Sequence, residues 1–74
     1  VLVIPRAHYA LLDDTPAGKV MTEVSERAKR VAREFGVEQS GYRVVVNTGD
    51  DGGQTVHHLH LHVLAGRQMK WPPG

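Results

Sequence analysis

One segment near the end of the chain decides how the sequence is interpreted: Thr55-Val56-His57-His58-Leu59-His60-Leu61-His62-Val63-Leu64. Side chains of a β-strand alternate between its two faces with a period of two residues. The segment therefore predicts a strand over residues 55–65 with two unlike faces. The apolar face comprises Leu59, Leu61 and Val63, with His57 near its beginning, and the opposite face carries a row of three imidazoles, His58, His60 and His62.

This row of histidines is poorly explained by stability alone. A single histidine in a strand is usually structural, but histidine is neither a strong strand former nor a good core residue. Three histidines in strict alternation therefore indicate chemistry more than packing.

A metal site is one alternative for the row. On a regular strand the Cβ atoms of His58 and His62 lie about 13 Å apart, because each residue adds about 3.3 Å. Zinc–nitrogen bonds measure only about 2.0–2.1 Å, so these two imidazoles cannot easily share one ion. A zinc site would need a neighbouring pair from the row together with His8 or a residue outside this chain. We keep zinc binding as an alternative and expect no metal.

Catalysis uses the spacing of the row better. A central imidazole can attack an electrophile while its second nitrogen is held by a carbonyl or a neighbour, and a flanking imidazole can move a proton. Histidine suits both tasks because its unperturbed pKa is about 6.5.

The loop that precedes the row is rich in glycine and small polar residues: Asn47-Thr48-Gly49-Asp50-Asp51-Gly52-Gly53-Gln54. Glycines let a backbone approach a ligand closely, so that N–H groups point at an anion. Asn47, Gln54 and Thr55 add neutral donors that can stabilise a phosphoryl transition state. A glycine-rich connection between strands is more often an ordinary turn, so the loop alone is weak evidence for a phosphate site.

The rest of the chain predicts a small α+β unit. Residues 1–4 form a strand that Pro5 ends, and a connection carrying His8 follows. A helix then begins near Asp13, Asp14 or Thr15 as the cap, with Pro16 in its first turn, and Gly36 ends it. Its apolar stripe comprises Ala17, Val20, Val24, Ala28, Val31 and Phe35. The charged opposite face is expected to be solvated, and residues 42–46 form a further strand.

Composition limits the possible functions. The chain has 74 residues, no cysteine, nine basic and eight acidic residues. It can hold one small domain without disulfides or thiolate metal sites, which fits a reducing compartment. Because the charges nearly cancel, the composition does not suggest electrostatic binding to nucleic acid or to an anionic membrane. No apolar run approaches the length of a membrane span, about 18 residues. Because the chain opens directly on a strand-like run, we expect further chain upstream.

The run His58-Leu59-His60-Leu61-His62-Val63-Leu64 resembles the defining motif of the histidine-triad family. The similarity extends further, to its purine-nucleoside phosphoramidase branch, through residues 42–47, the loop Asp51-Gly52-Gly53-Gln54, the tail Gly66-Arg67-Gln68-Met69-Lys70-Trp71-Pro72-Pro73-Gly74, and Leu2-Val3-Ile4-Pro5 followed by His8. The resemblance implies an antiparallel sheet with one long helix. Residues 1–74 would then be the C-terminal part of a single histidine-triad domain whose N-terminal strands and helix are absent from this chain.

The resemblance also implies roles for residues. His60 would attack the α-phosphorus and form a nucleotidyl-histidine intermediate, and His62 would contact the phosphate and assist the leaving group. His58 would orient His60, and His8 would complete the proton network. The phosphate would be surrounded by Asn47, Gly53, Gln54, Thr55, His60 and His62.

The expected activity is hydrolysis of purine nucleoside phosphoramidates or acyl-adenylates, with release of a nucleoside monophosphate and no cofactor. His62 favours a hydrolase, because the uridylyltransferase branch resembles this motif but carries glutamine there. Two alternatives stay open: a dinucleoside polyphosphate hydrolase, and a nucleotide-binding interaction module with incidental turnover. His57 and Lys70 depart from the family pattern, where an aromatic residue and a histidine are common.

The resemblance further implies a homodimer that meets near the helix and residues 42–46. Trp71 would either anchor its own tail or carry that tail toward the site of the partner subunit, and both can hold. The expected ligands are of the purine nucleoside monophosphate type, with neither nucleic acid nor membrane as a partner, and the expected location is cytoplasmic.

Overall fold

The computed structural model describes residues 1–14 and 18–73 and has an α+β architecture. Its elements are β1 (Leu2–Val3), a short 3-10 turn (Leu12–Asp14), α1 (Lys19–Glu34), β2 (Arg43–Val46) and β3 (Leu61–Leu64). The three strands form one antiparallel sheet in the order β1-β3-β2. The predicted fold class, an antiparallel sheet with one long helix, is confirmed.

The last strand in sequence is the central strand of the sheet. His62 of β3 lies opposite Leu2 of β1 and opposite Val45 of β2, and Leu61 lies opposite Val3 and Val46. Because successive residues point to opposite faces, this register places Leu61 and His62 on different sides of the sheet.

The core lies between α1 and the face of the sheet that carries Leu61. It comprises the buried residues Val3, Val24, Ala28, Leu61 and Val63, with Met21, Val31, Tyr42 and Val46 packed against them. The imidazole of His62 therefore points away from the helix. The histidines and the hydrophobic core lie on opposite faces of one short strand.

The beginning of α1 differs from the prediction. The helix starts at Lys19 with Gly18 as its N-cap, and no side chain caps it with a hydrogen bond. Asp13 belongs instead to the preceding 3-10 turn, as does the backbone of Asp14. Gly18 has a φ of 84°, which a helix cannot continue, so the boundary falls there. The proposed cap Thr15, the first-turn Pro16 and the stripe residue Ala17 lie outside the described residues.

The end of α1 follows the prediction in part. Gly36 has a φ of 70° and donates its N–H to the carbonyl of Arg33, and the N–H of Val37 donates to the carbonyl of Ala32. These hydrogen bonds are typical of a helix that ends at a glycine. Ala32 is fully buried, whereas Phe35 is 67% exposed. The predicted stripe was therefore wrong at its last residue, because the buried face turns from Ala28 to Ala32.

Within the described residues, α1 included, no helix combines the length and the apolar character that a membrane span requires.

The predicted strands were too long. β3 is paired with β1 only as far as the Val3–Leu61 pair and with β2 only as far as the Val46–Leu61 pair. In the described part of the chain, the residues just before Leu61 have no strand beside them. Residues 55–60 consequently leave the sheet, with a bend over residues 56–58. They make other contacts instead, and these contacts build the site described next.

Candidate active site

The alternation between imidazoles and apolar side chains persists beyond the end of β3. Leu59 and Leu61 are fully buried, whereas His58, His60 and His62 are half-buried. The predicted division of the segment into two faces is therefore confirmed from residue 58 onward. His57 was predicted on the apolar side, but it is exposed because the bend over residues 56–58 turns it toward solvent.

His60 is held by one backbone contact. Its Nδ1 lies 2.7 Å from the carbonyl oxygen of His58. A carbonyl can only accept a hydrogen bond, so Nδ1 must carry the hydrogen. In the neutral imidazole the other nitrogen, Nε2, then has a lone pair. The backbone of His58 thus selects the tautomer of His60 whose Nε2 is nucleophilic.

The ring of His58 is oriented by two contacts, one at each of its nitrogens. Its Nε2 lies 3.3 Å from the carbonyl oxygen of Pro5, and its Nδ1 lies 2.7 Å from Nδ1 of His8. Because Pro5 can only accept, Nε2 of neutral His58 donates and Nδ1 accepts a hydrogen from His8. The centroids of the two rings lie 4.7 Å apart. The structure therefore brings His8 to the row, as the resemblance implied.

His62 is held less tightly than the other two members of the row. Its ring meets that of His60 edge-on, with centroids 5.0 Å apart and planes at 71°. Among residues 1–14 and 18–73 its ring nitrogens have no protein hydrogen-bond partner. His62 can therefore present a nitrogen to a ligand without first breaking a contact.

The connection that carries His8 is joined to the segment before β3 by hydrogen bonds. The N–H of Leu59 donates to the carbonyl of Tyr9 at 2.6 Å, and the side-chain amide of Gln54 donates to the carbonyl of Ala10 at 2.6 Å. Neither bond could be predicted from the periodicity of hydrophobic residues. They explain why residues 55–60 leave the sheet and still hold a fixed path.

The glycine-rich loop is a compact turn. The N–H of Gln54 donates to the carbonyl of Gly49 at 3.1 Å, and the N–H of Gly53 donates to Asp50 at 3.0 Å. A Cβ atom on Gly52 would collide with the backbone carbonyl of Thr48. Only glycine fits there, because the two stretches of backbone approach so closely.

The residues predicted to bind phosphate differ in their surroundings. Asn47 follows Val46, and His60 precedes Leu61, so both residues flank the pair that ends the β2–β3 ladder. The side chain of Thr55 is exposed, and that of Asn47 is half-buried. Gly53 and Gln54 use their backbone N–H groups inside the loop. The phosphate-binding role of these residues stays a prediction.

The tail lies against β2 of its own chain. Arg43 donates from Nη2 to the carbonyl of Lys70 at 3.2 Å, and its guanidinium carbon lies 5.2 Å from the centroid of the Trp71 ring. Trp71 is 80% exposed. Arg43 thus anchors the tail within one chain, and the contact of Trp71 with a partner subunit stays a prediction.

Comparison with known proteins gives a consistent result. The HIT domain model matches residues 1–69. A maize (Zea mays) protein named 14 kDa zinc-binding protein is 60% identical over 78 residues, which cover the whole chain and 60% of the maize protein. The protein of Arabidopsis thaliana named adenylylsulfatase HINT1 is 38% identical over 78 residues, covering the whole chain and 52% of that protein.

A solved structure supports the same assignment. The crystal structure of a HIT family hydrolase from Legionella pneumophila Philadelphia 1 superposes with a TM-score of 0.93 at 44% identity, covering 99% of this chain and 67% of that one. The chain spans only about half to two thirds of the length of these relatives. With its row of histidines, its fold and these matches, the chain belongs to the HIT domain, or histidine-triad, family.

Proposed function

We propose that this chain carries the catalytic residues of a hydrolase that acts on purine nucleoside phosphoramidates or acyl-adenylates and releases a nucleoside monophosphate. The observation that carries the proposal is the 2.7 Å contact between Nδ1 of His60 and the carbonyl of His58. This contact leaves the lone pair of Nε2 available for attack on phosphorus.

In the first step, Nε2 of His60 attacks the α-phosphorus. A bond from phosphorus to Nε2 forms while the bond from phosphorus to the leaving nitrogen, or to the acyl oxygen, breaks. His62 in its protonated form gives a proton to a leaving amine. The imidazole of His60 becomes cationic as the bond forms, and the carbonyl of His58 stabilises that charge through the N–H on Nδ1.

In the second step, water attacks the phosphorus and gives a proton to neutral His62. An amine leaving group has taken the proton of His62 in the first step, whereas with an acyl leaving group, which takes no proton, His62 is neutral from the start. The bond between phosphorus and Nε2 breaks, and its electron pair returns to His60. The product is a nucleoside monophosphate. His8 and the carbonyl of Pro5 keep the ring of His58 in place throughout, so that its backbone carbonyl stays directed at His60.

The names of the relatives support this proposal in part. The Arabidopsis relative is named an adenylylsulfatase and the Legionella relative a hydrolase. A nucleophile that attacks the α-phosphorus of an adenylyl compound becomes bonded to the adenylyl group. The site therefore favours hydrolysis over a purely structural role for the row.

Zinc fits the described residues poorly, although the maize relative is named a zinc-binding protein. Nδ1 of His8 and Nδ1 of His58 face each other at 2.7 Å, too close to hold between them an ion with zinc–nitrogen bonds of about 2.0–2.1 Å in tetrahedral geometry. Within residues 1–14 and 18–73, no three histidine, aspartate or glutamate side chains are arranged to hold an ion. We derive no step through a metal.

The substrate class is tested by comparing leaving groups. Intact protein is given a purine nucleoside phosphoramidate and, separately, a diadenosine polyphosphate, and kcat/KM is measured for both by release of the nucleoside monophosphate. We expect the phosphoramidate to be preferred, because the loop and the tail resemble the phosphoramidase branch. A clear preference for the polyphosphate would move the assignment to the dinucleoside polyphosphate hydrolases.

A further inference from the structure

Gln54 is a buried polar residue between the glycine-rich loop and the connection that carries His8. Its side chain is 5% exposed, and it is the single polar or charged residue buried among those whose side chains the structure describes. Its neighbours Gly53 and Thr55 are exposed. Burying a carboxamide costs free energy unless its hydrogen bonds to water are replaced by hydrogen bonds within the protein.

All parts of this carboxamide are engaged within the chain. Nε2 donates to the carbonyl of Ala10 at 2.6 Å and to the carbonyl of Val56 at 3.1 Å, and Oε1 accepts from the N–H of Gly49 at 2.9 Å. An amide has two N–H donors, and both are used. The opposite orientation would set Oε1 against two carbonyl oxygens, so the contacts also fix which way the amide points.

These three bonds join three segments of the site. Gly49 lies in the glycine-rich loop, Val56 precedes the row of histidines, and Ala10 follows His8 by two residues. The bond to Ala10 lies beside the bond from Leu59 to Tyr9. Together they hold the connection against the row at the point where His8 reaches His58.

We propose that Gln54 is a positioning residue, which sets the His8–His58 contact and the shape of the glycine-rich loop and does not itself bind phosphate. Its catalytic consequence rests on the proposed function, whereas the positioning does not. The side chain has no donor left for a ligand, and it lies in the interior between two exposed neighbours that face outward. The phosphate role implied for Gln54 by resemblance is thereby reassigned to Thr55, whose side chain is exposed, and to Asn47.

The first experiment uses the unmodified protein. We follow the side-chain amide signals of Gln54 and Asn47 by ¹H–¹⁵N NMR while AMP is added to the intact protein. The amide of Gln54 is expected to keep its chemical shift at saturation, while that of Asn47 moves. If the two amides shift to a similar extent, Gln54 contacts the ligand and the proposal is wrong.

The second experiment removes the carboxamide and reads the imidazoles without any ligand. Gln54→Met keeps the shape and loses all three bonds, and Gln54→Glu replaces the two donors with an oxygen that faces the carbonyls of Ala10 and Val56. In the wild type, ring ¹⁵N shifts should report His58 protonated at Nε2 and His8 protonated at Nδ1. Both variants are expected to shift these signals toward a mixture of tautomers.

Turnover then separates positioning from general destabilisation. We expect Gln54→Met to lower kcat by about 10- to 100-fold, as misplaced catalytic groups do, with a smaller change in KM. Val24→Ala is the matched control, because it removes buried volume beneath α1 without touching the loop or the row. At a temperature where both variants are folded, the control should keep wild-type imidazole shifts and kcat.

Failure of the positioning role and failure of the proposed function give different results. Wild-type imidazole shifts in both Gln54 variants would overturn the positioning role, whatever their turnover. Absence of turnover in every protein, the wild type included, would overturn the proposed function alone, because the AMP titration and the imidazole shifts still decide the role of Gln54.

Discussion

The two ends of the row of histidines are held in different ways. His58 and His60 lie outside the sheet, yet carbonyl groups and His8 hold their ring nitrogens. His62 lies in the central strand with its backbone paired on both sides, yet within the described residues its ring nitrogens have no hydrogen-bond partner. The hydrogen-bonded rings of His58 and His60 thus lie on irregular backbone, whereas the less constrained ring of His62 lies on a regular strand.

This difference matches what the two chemical tasks require. A nucleophile must offer one nitrogen in one direction, so its tautomer and orientation are best fixed before the substrate arrives. A residue that moves a proton must accept and release it and turn toward two different partners, the leaving group and then water. We therefore expect substitutions at the two ends of the row to affect turnover in different ways.

The largest effect is expected at the fixed end. His60→Ala should lower turnover by orders of magnitude while nucleoside monophosphate binding stays largely intact, because the nucleophile is lost and the surrounding donors remain. Each tenfold loss corresponds to about 1.36 kcal/mol of barrier. Wild-type protein denatured at alkaline pH, where a phosphorus–nitrogen bond to imidazole survives, should carry a nucleotidyl adduct on the peptide that contains residue 60, detected by mass spectrometry.

His57→Ala provides the matched control, since it removes an exposed imidazole three residues away in the same segment. It should keep both turnover and the adduct. Near-normal turnover in His60→Ala would exclude covalent catalysis by His60.

An intermediate effect is expected at the less constrained end. His62→Gln should lower kcat/KM for a phosphoramidate by about 10²- to 10⁴-fold, because an amine leaves only after it takes up a proton. An acyl-adenylate should lose much less, because its carboxylate leaves without a proton. The measurement is the ratio of the two kcat/KM values in single-turnover conditions. An equal loss for both substrates would show that His62 does not act as the general acid.

The smallest effect, none at all, is expected from metal removal. Intact protein dialysed against a chelator should keep its kcat/KM for the phosphoramidate, because the contact between His8 and His58 leaves no room for an ion. A mock-dialysed sample is the control. Loss of activity that stoichiometric zinc restores would overturn the metal-free mechanism and make the less constrained His62 a candidate ligand.

The period of two and the helical stripe predicted much of this arrangement. The alternation from His58 to Val63 gave the correct faces because burial on one side of a strand is a local property of the sequence. The stripe of α1 was correct at Val20, Val24 and Ala28 for the same reason.

The remaining features depend on contacts between distant residues. Nothing near Gln54 in sequence reveals that its amide bonds to Ala10, 44 residues away. The length of β3 was overestimated because strand ends are set by the partners on either side, here β1 and β2. The cap at Gly18 was missed because a positive φ is a property of the folded backbone, which candidate capping side chains do not disclose.

The register of β3 has a consequence for mutational tolerance. His62 and Leu61 differ by one position, and one faces the site while the other faces α1. Inserting or deleting a single residue between Leu59 and Leu61 would put His58 and His62 on opposite faces, because side chains alternate from His58 onward. An imidazole would then turn toward the helix and a leucine toward solvent. We therefore expect no change of length to be accepted there, since a shift of one residue damages the core and the site together.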